Sequence, residues 1–362
     1  MTISYLGATV DTAAVDTAIK AFFAERRAEA EVFGPDCAAM TDELERFILR
    51  GGKRLRPTFA WLGWIGAGGD PEDPVATAVL SACAGFELLH AAGLIHDDII
   101  DASLTRRGHP AAHVTYAERH RARRFSGDPH TFGTSIAILI GDLALIWADV
   151  LIQGAGLPAD AHARVMPVWS AVRSEVTYGQ LLDLINQASD DEDIEAALLV
   201  NRYKTASYTV ERPLHFGAAI AGGSPDIVAA YRAFGADIGV AFQLRDDMLG
   251  VFGDPVVTGK PSGDDLREGK RTALLATALK RADLEDPDSA RFLRAKVGTD
   301  LTDDDLARVR AILVDTGAVE QIEAQIAQRA ERALSVMEAS STAGPAKQQL
   351  AEMAIKATQR IQ

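Results

Sequence analysis

Apolar residues recur every three or four positions along nearly the whole chain, as in AAVDTAIKAFFAERRAEAEVF, in ATAVLSACAGFELLHAAGLIHDDIID and across 304–333. That interval lines one face of an α-helix, and the two-residue alternation of a half-buried strand is scarce. The runs stop at short breaks carrying glycine or proline: Gly51-Gly52, 66–74, 108–110, 127–129, 154–158, 222–225 and 253–263. None of these is long enough to be an interdomain linker. The pattern predicts an all-α protein, a single domain over residues 1–362, built as one large bundle of roughly a dozen helices. The most apolar stretch, 135–153, is interrupted by Gly141, Asp142 and Asp149. It is read as a buried core helix, and no transmembrane segment is expected.

Composition narrows the function rather than the fold. With 48% hydrophobic and 24% charged residues, the 362-residue chain can bury a sizeable core. A formal charge of -14 excludes non-specific nucleic-acid binding as the main task, because phosphate neutralisation needs a positive surface. Cys37 and Cys83 are too far apart to suggest a metal knuckle or redox pair, which fits a reduced, cytoplasmic protein. The segment MTISYLGATVDTAAVDTAIKAFF lacks the basic and apolar regions of a signal peptide.

Chemistry enters where two apolar helices end in acid. Asp97, Asp98 and Asp101 close the helix that begins near Val75, and i, i+4 spacing puts Asp97 and Asp101 on one face about 6 Å apart. Such carboxylates repel each other and oppose the helix dipole, so a cation is their natural partner. Mg²⁺, held by one or two carboxylates and completed by phosphate oxygens, suits the pair. A second apolar helix, 229–249, runs into FQLRDDMLG with Asp246 and Asp247. Facing each other across a bundle, the clusters would clamp a polyphosphate through several Mg²⁺ ions. The second is leaner: position 250 is glycine, and Asp254 lies between Gly253 and Pro255.

Metal-bound phosphate also calls for cations. GGKRLRP sets Lys53, Arg54 and Arg56 after a Gly-Gly stop and before Pro57, read as the first residue of the next helix, whose N-terminus would also attract a diphosphate. Arg106 and Arg107 follow the first cluster within two turns and can grip the same substrate. Other positions have bland readings beside the functional one. Lys204 and Thr205 lie in LLVNRYKTASYTVERPL, where a core-facing lysine needs an anion and a water-facing lysine needs nothing. Gln180 and Asp183 are read as partners of a neighbouring helix. Lys260 and Lys270 belong to VTGKPSGDDLREGKRTALL, a loop able to fold over phosphate, with Thr272 capping the following helix. His90 reads equally as a core histidine, and RHRARR at 119–124 as a solvated surface loop.

The ordered series GGKRLRP, HDDIID with its RRG tail, GQ, KT, FQLRDD and GK resembles the trans-isoprenyl diphosphate synthase family, the polyprenyl synthetases, over residues 46–275. Within it, geranylgeranyl diphosphate synthases of actinobacterial type look most similar. The resemblance implies an isoprenoid-synthase bundle with a central active-site cavity. It also implies Mg²⁺-dependent condensation of isopentenyl diphosphate with an allylic diphosphate (dimethylallyl, geranyl or farnesyl), about three Mg²⁺ ions per site, and a homodimer. By the same resemblance Lys53, Arg56 and His90, helped by Arg107, bind isopentenyl diphosphate. Asp97, Asp101 and Asp246 are the metal ligands, supported by Asp98 and Asp247. Arg106, Lys204, Lys260 and Lys270 hold the allylic diphosphate, and Thr205 and Gln243 lie near the developing cation. Gly250 departs from the family's third aspartate.

A growing chain should run from the metals toward the start of the helix bearing Asp97, past Gly93, Ala92 and Leu89. Small residues at the first turn leave room beyond a fifteen-carbon chain, so a twenty-carbon product is expected, with Leu89 or Phe86 at the floor. Farnesyl or longer-chain synthesis is the alternative. A class I terpene cyclase would not need the cations of GGKRLRP and Arg106-Arg107, and a non-catalytic prenyltransferase subunit would usually lack one acidic cluster.

Overall fold

The computed structural model describes residues 12–253 and 263–358. The first helices are α1 (Thr12–Glu31), α2 (Pro35–Leu49), α3 (Leu55–Gly66) and α4 (Ala76–Ile100), followed by α5 (Ala112–Arg123), α6 (Pro129–Gln153), α7 (Ala159–Ala188) and α8 (Ile194–Val200). A π-helix, Asn201–Glu211, continues α8 and leads into α9 (Arg212–Ala221) and α10 (Pro225–Phe252). The remainder is α11 (Asp264–Arg267), α12 (Ala273–Glu285), α13 (Pro287–Lys296), α14 (Asp303–Asp315), α15 (Ala318–Ala339) and α16 (Gly344–Thr358). Among the described residues the strands are one antiparallel pair, Thr105–Arg106 with His109–Pro110. The chain is all-α, as the apolar spacing predicts.

The helices are apolar where they are enclosed. α4 is buried on almost every side, and its Phe86 stands edge-on to Trp169 and Phe216, with centroids 5.4 and 5.1 Å away. A second core gathers Leu244 and Val251 of α10 with Leu275, Leu313 and Ile322 of α12, α14 and α15. Ile238 and Phe234, earlier on α10, belong to the first core, so this helix runs through both. Glycine sets one close crossing: a Cβ on Gly63 of α3 would strike the Leu214 carbonyl, and one on Gly217 of α9 the Ala60 carbonyl. The two backbones therefore touch where no side chain fits.

Several local expectations are corrected. α6 is not a buried core helix: Ile140, Ala144 and Ala148 pack inward, but Leu139 and Ile146 are 54% and 57% exposed. By length and composition α4, α6 and α10 each qualify as membrane spans, contrary to the expectation that none does. Pro57 is not the first helical residue; α3 begins at Leu55, with Arg54 left-handed at its N-cap (φ 49°). RHRARR is no loop, since residues 119–123 form the last turns of α5, where Arg119 pairs with Glu43 at 2.7 Å and Arg123 with Asp36 at 2.5 Å. Cations there also offset the helix dipole. The run around Lys204, expected as ordinary α-helix, is the π-helix.

Gly217→Ala should destabilise the protein by about 2 kcal/mol or more, because the new methyl meets backbone that cannot rotate away. Denaturant unfolding of the purified variant checks this, and a loss within measurement error would show the α3–α9 crossing to be adaptable.

Candidate active site

A cleft of about 540 Å³ opens where α4 and α10 end. Asp97 brings α4 to its wall, and Gln243, Asp246 and Asp247 bring α10. Lys204, Thr205 and Tyr208 project from the π-helix, Asp183 from α7, and Asp265, Lys270 and Arg271 from the segment after α10. The two acidic clusters, 149 residues apart at Asp97 and Asp246, thus line one space.

The first cluster is strained by its own charge. Asp101 caps the C-terminus of α4; burial and then the Asp97 carboxylate push its pKa up to about 6. Asp98 is buried and accepts from Arg106 Nε at 2.7 Å, and Arg106 is held by the short strand pair that follows. Its Oδ2 makes no hydrogen bond, nor does Asp97 Oδ1, although Lys204 Nζ lies 3.3 Å from the latter. Lys204 also donates to Asp183 Oδ2 at 2.6 Å. Burial lowers the Lys204 pKa, but the two aspartates outweigh it and raise it overall. The lysine faces the cleft, so its bland water-facing reading fails. Asp183 both meets the neighbouring helix, as expected of it, and lines the cleft. Gln180 Nε2 is buried without a hydrogen-bond partner.

The second cluster divides into a buried half and a facing half. Asp247 is 6% exposed and accepts from Gln243 Nε2 at 2.7 Å and Asn201 Nδ2 at 3.3 Å. Burial, reinforced by Asp265 and Asp246, pushes its pKa up to about 7 despite those bonds. The absence of an acid at position 250 has a steric counterpart: a Cβ on Gly250 would collide with the Asp265 carboxylate. Asp265 is in turn 3.1 Å from Lys270 Nζ, and Glu268 is 2.9 Å from it. These acids raise the Lys270 pKa against the opposing effect of burial.

Lys53 and Arg56 also line the cleft. The Arg56 guanidinium lies 4.1 Å from the Tyr208 ring centroid and donates to Thr209 Oγ1 at 3.0 Å. His90 Nδ1 is 3.3 Å from the Tyr208 hydroxyl; burial and then the charges of Arg56 and Arg107 hold its pKa well below the ordinary value, leaving a neutral ring. Arg107, left-handed at φ 53°, donates to the Gly51 carbonyl at 3.1 Å, tying the region after α4 to the Gly-Gly turn. Arg54, grouped above with the diphosphate cations, is 3% exposed and bonded to Asp16 at 2.8 Å and Glu87 at 2.7 Å. It braces α1, α3 and α4 and is not available to phosphate.

His90, Asp101 and Arg107 are close to the cleft through these partners without lining it. Of the chain-length residues, Phe86, Leu89 and Ala92 are buried in the core, while Gly93 is exposed with nothing within 4 Å of its missing Cβ. Leu94 is the α4 residue beyond Asp97 that reaches the cleft wall. Lys260 and Asp254 lie outside the described residues. Sequence reasoning missed Tyr208, Asn201, Asp265 and Arg271. Tyr208 stands four residues after Lys204, a spacing that carried the signal on one helix face; Asn201 and Arg271 left none.

Mg²⁺ fits what is present. Two buried carboxylate oxygens, Asp97 Oδ1 and Asp98 Oδ2, are without hydrogen bonds. Among the described residues no three His, Cys, Asp or Glu side chains converge to form a metal group by themselves. The donors are hard oxygens in small number, the set that leaves a metal's remaining positions to water and phosphate.

A helical bundle whose two acid-ended helices meet a ring of lysine and arginine over one cleft defines a transferase working on diphosphates. The chain belongs to the polyprenyl synthetase family, whose model matches residues 38–313. A crystal structure of geranylgeranyl pyrophosphate synthase from Corynebacterium glutamicum, complexed with isoprenyl diphosphate and magnesium, superposes with a TM-score of 0.91 at 45% identity, covering 96% of this chain and 97% of that one. Geranylfarnesyl diphosphate synthase from Aeropyrum pernix is 34% identical over 80% of this chain and 84% of its own. Polyprenyl synthase from Caulobacter crescentus, solved with calcium and isoprenyl diphosphate, gives a TM-score of 0.74 at 26% identity over 99% of each chain. The protein is an all-trans prenyl diphosphate synthase, as the ordered motifs imply.

Asp247→Asn should stabilise the metal-free protein at pH 8 by about 1–2 kcal/mol. The raised pKa means that the native carboxylate destabilises the fold little below pH 4 and progressively more as pH rises to about 7. Urea unfolding in EDTA at pH 4 and pH 8 checks this; equal effects at both would contradict it.

Proposed function

We propose that this enzyme extends an allylic diphosphate with isopentenyl diphosphate to geranylgeranyl diphosphate, using about three Mg²⁺ ions. The observation that carries this reading is that Asp97 and Asp246 line one cleft together with Lys53, Arg56, Lys204 and Lys270. Asp97, Asp101 and Asp246 are the proposed metal ligands, with Asp98 and Asp247 supporting them. Mg²⁺, when bound, supplies charge neutralisation to the diphosphate that leaves as the allylic carbon ionises.

The chain's own residues then divide the work. Arg106, Lys204, Lys270 and, from outside the described residues, Lys260 grip the allylic diphosphate. Lys53 and Arg56, with His90 and Arg107 alongside, hold isopentenyl diphosphate. Thr205 and Gln243 flank the reacting carbons, where neutral oxygens favour a developing cation. Leu94, Val200 and Phe242 on the cleft wall keep water from quenching it. No protein nucleophile is required.

The proposed product is twenty carbons long: Ala92 and Gly93 set no bulky group one turn before Asp97, and Leu89 and Phe86 come earlier along α4. The similarity to geranylgeranyl synthases supports this length. The protein works in the cytoplasm as one domain, since α10 runs through both cores. It acts as a homodimer: Leu139 and Ile146 on α6, and Tyr178, Leu181 and Ile185 on α7, leave apolar side chains 49–62% exposed, a surface that a second copy would cover.

Purified enzyme given Mg²⁺, isopentenyl diphosphate and each allylic primer in turn should yield a twenty-carbon product from all three. Asp101→Ala and Asp246→Ala should each lower turnover by at least about a hundredfold. No elongation from any primer would overturn the reading, and a near-normal Asp246→Ala enzyme would remove the second cluster from it.

A further inference from the structure

Arg271 and its neighbour Lys270 both line the cleft, but they are held differently. Lys270 Nζ lies near two carboxylates of its own segment, Asp265 at 3.1 Å and Glu268 at 2.9 Å. Arg271 pairs instead with a carboxylate from a distant part of the chain, Asp190, in the turn between α7 and α8.

The Arg271 guanidinium is enclosed, with 12% of the side chain exposed, whereas the Asp190 side chain is 77% exposed. An ion pair with one partner in water contributes little. The Nε of Arg271 is buried and meets no acceptor among the described residues. A donor orphaned in this way destabilises the protein until an oxygen reaches it. The same signature marks Arg56 on this wall, whose Nε is also buried without an acceptor among the described residues. A diphosphate offers what both lack, charged oxygens that can meet a guanidinium in pairs. α12 adds to this, since Thr272 at its N-cap lines the cleft and a helix start favours an anion.

We propose that Arg271 is a further substrate-binding residue, which leaves Asp190 to grip the diphosphate of the allylic substrate beside Lys270 and returns to Asp190 as pyrophosphate departs. The inference rests on the substrate assignment above. Asp190 is then a counter-ion that competes with the substrate: it holds the guanidinium in the free enzyme and loosens the grip on the pyrophosphate product. A mere brace between the α7–α8 turn and the start of α12 would use the same pair differently, because both partners would then help the site.

Two measurements on the full-length enzyme separate these roles: calorimetric titration with inorganic pyrophosphate in saturating Mg²⁺, and turnover with farnesyl and isopentenyl diphosphates varied in turn. Arg271→Gln should weaken pyrophosphate binding and raise the KM for farnesyl diphosphate, each about tenfold, with the KM for isopentenyl diphosphate within about twofold of wild type. Asp190→Asn, which removes the competitor, should do the opposite and tighten pyrophosphate binding about threefold. Weaker binding in both variants would make the pair a brace, and unchanged binding in either would also overturn the proposal. Should Arg271→Gln lose its cooperative melting transition, Arg271→Lys, which keeps the charge without the paired donors, decides by the same readings. Absent turnover in the wild type would sink the substrate assignment, while the pyrophosphate titration would still decide whether Arg271 exchanges one anion for another.

Discussion

Like charges held together at the ends of two apolar helices are the constraint around which this molecule is arranged. α4 and α10 are fixed by burial, so the carboxylates they carry cannot separate as they would on a mobile loop. The pKa of Asp101 rises to about 6 and that of Asp247 to about 7, both through burial first and neighbouring carboxylates second. Lys204, Arg106 and Lys270 relieve part of this repulsion, each through ion pairs with the acids. The remainder is relieved by what binds. A cation joined to a polyanion satisfies both the acids and the bases of the cleft, which explains why neither charge class dominates it.

The positions of those bases depend on backbone features without chemistry of their own. The π-helix widens the turn that carries Lys204, Thr205 and Tyr208, and π-type turns often mark functional sites. Arg54 has the composition of a phosphate ligand and the surroundings of a strut, bridging Asp16 and Glu87 so that Lys53 and Arg56 on either side are held in place. Arg107 ties the region after the first cluster to the Gly-Gly turn in the same manner.

Much of this could be read from the sequence, and the failures share a cause. The all-helical fold is legible because apolar spacing is a local property. The acidic clusters are legible because paired aspartates closing an apolar helix have no structural benefit. Thr272 could be assigned as a cap, and its side chain does accept from Leu275 N at 3.3 Å. What could not be read were facts about which face meets which neighbour. The apolar stretch in α6 is dense enough for a core helix, yet half of it points outward, since composition does not say how many sides are covered. Lys204 could have faced water or an anion, and Asp183, on another helix, settles it. Asp265 went unremarked beside Gly250 because fifteen residues of chain separate two positions that compete for one space.

The central claim is that the carboxylates repel one another until a cation and a polyanion arrive together. Thermal melting of the wild-type protein with Mg²⁺ alone, inorganic pyrophosphate alone, and both, tests it most directly. The account predicts little change with either alone and a rise of roughly 5 °C with both. The full rise with Mg²⁺ alone would mean that the protein completes its own metal site, and no rise with both would contradict the account outright.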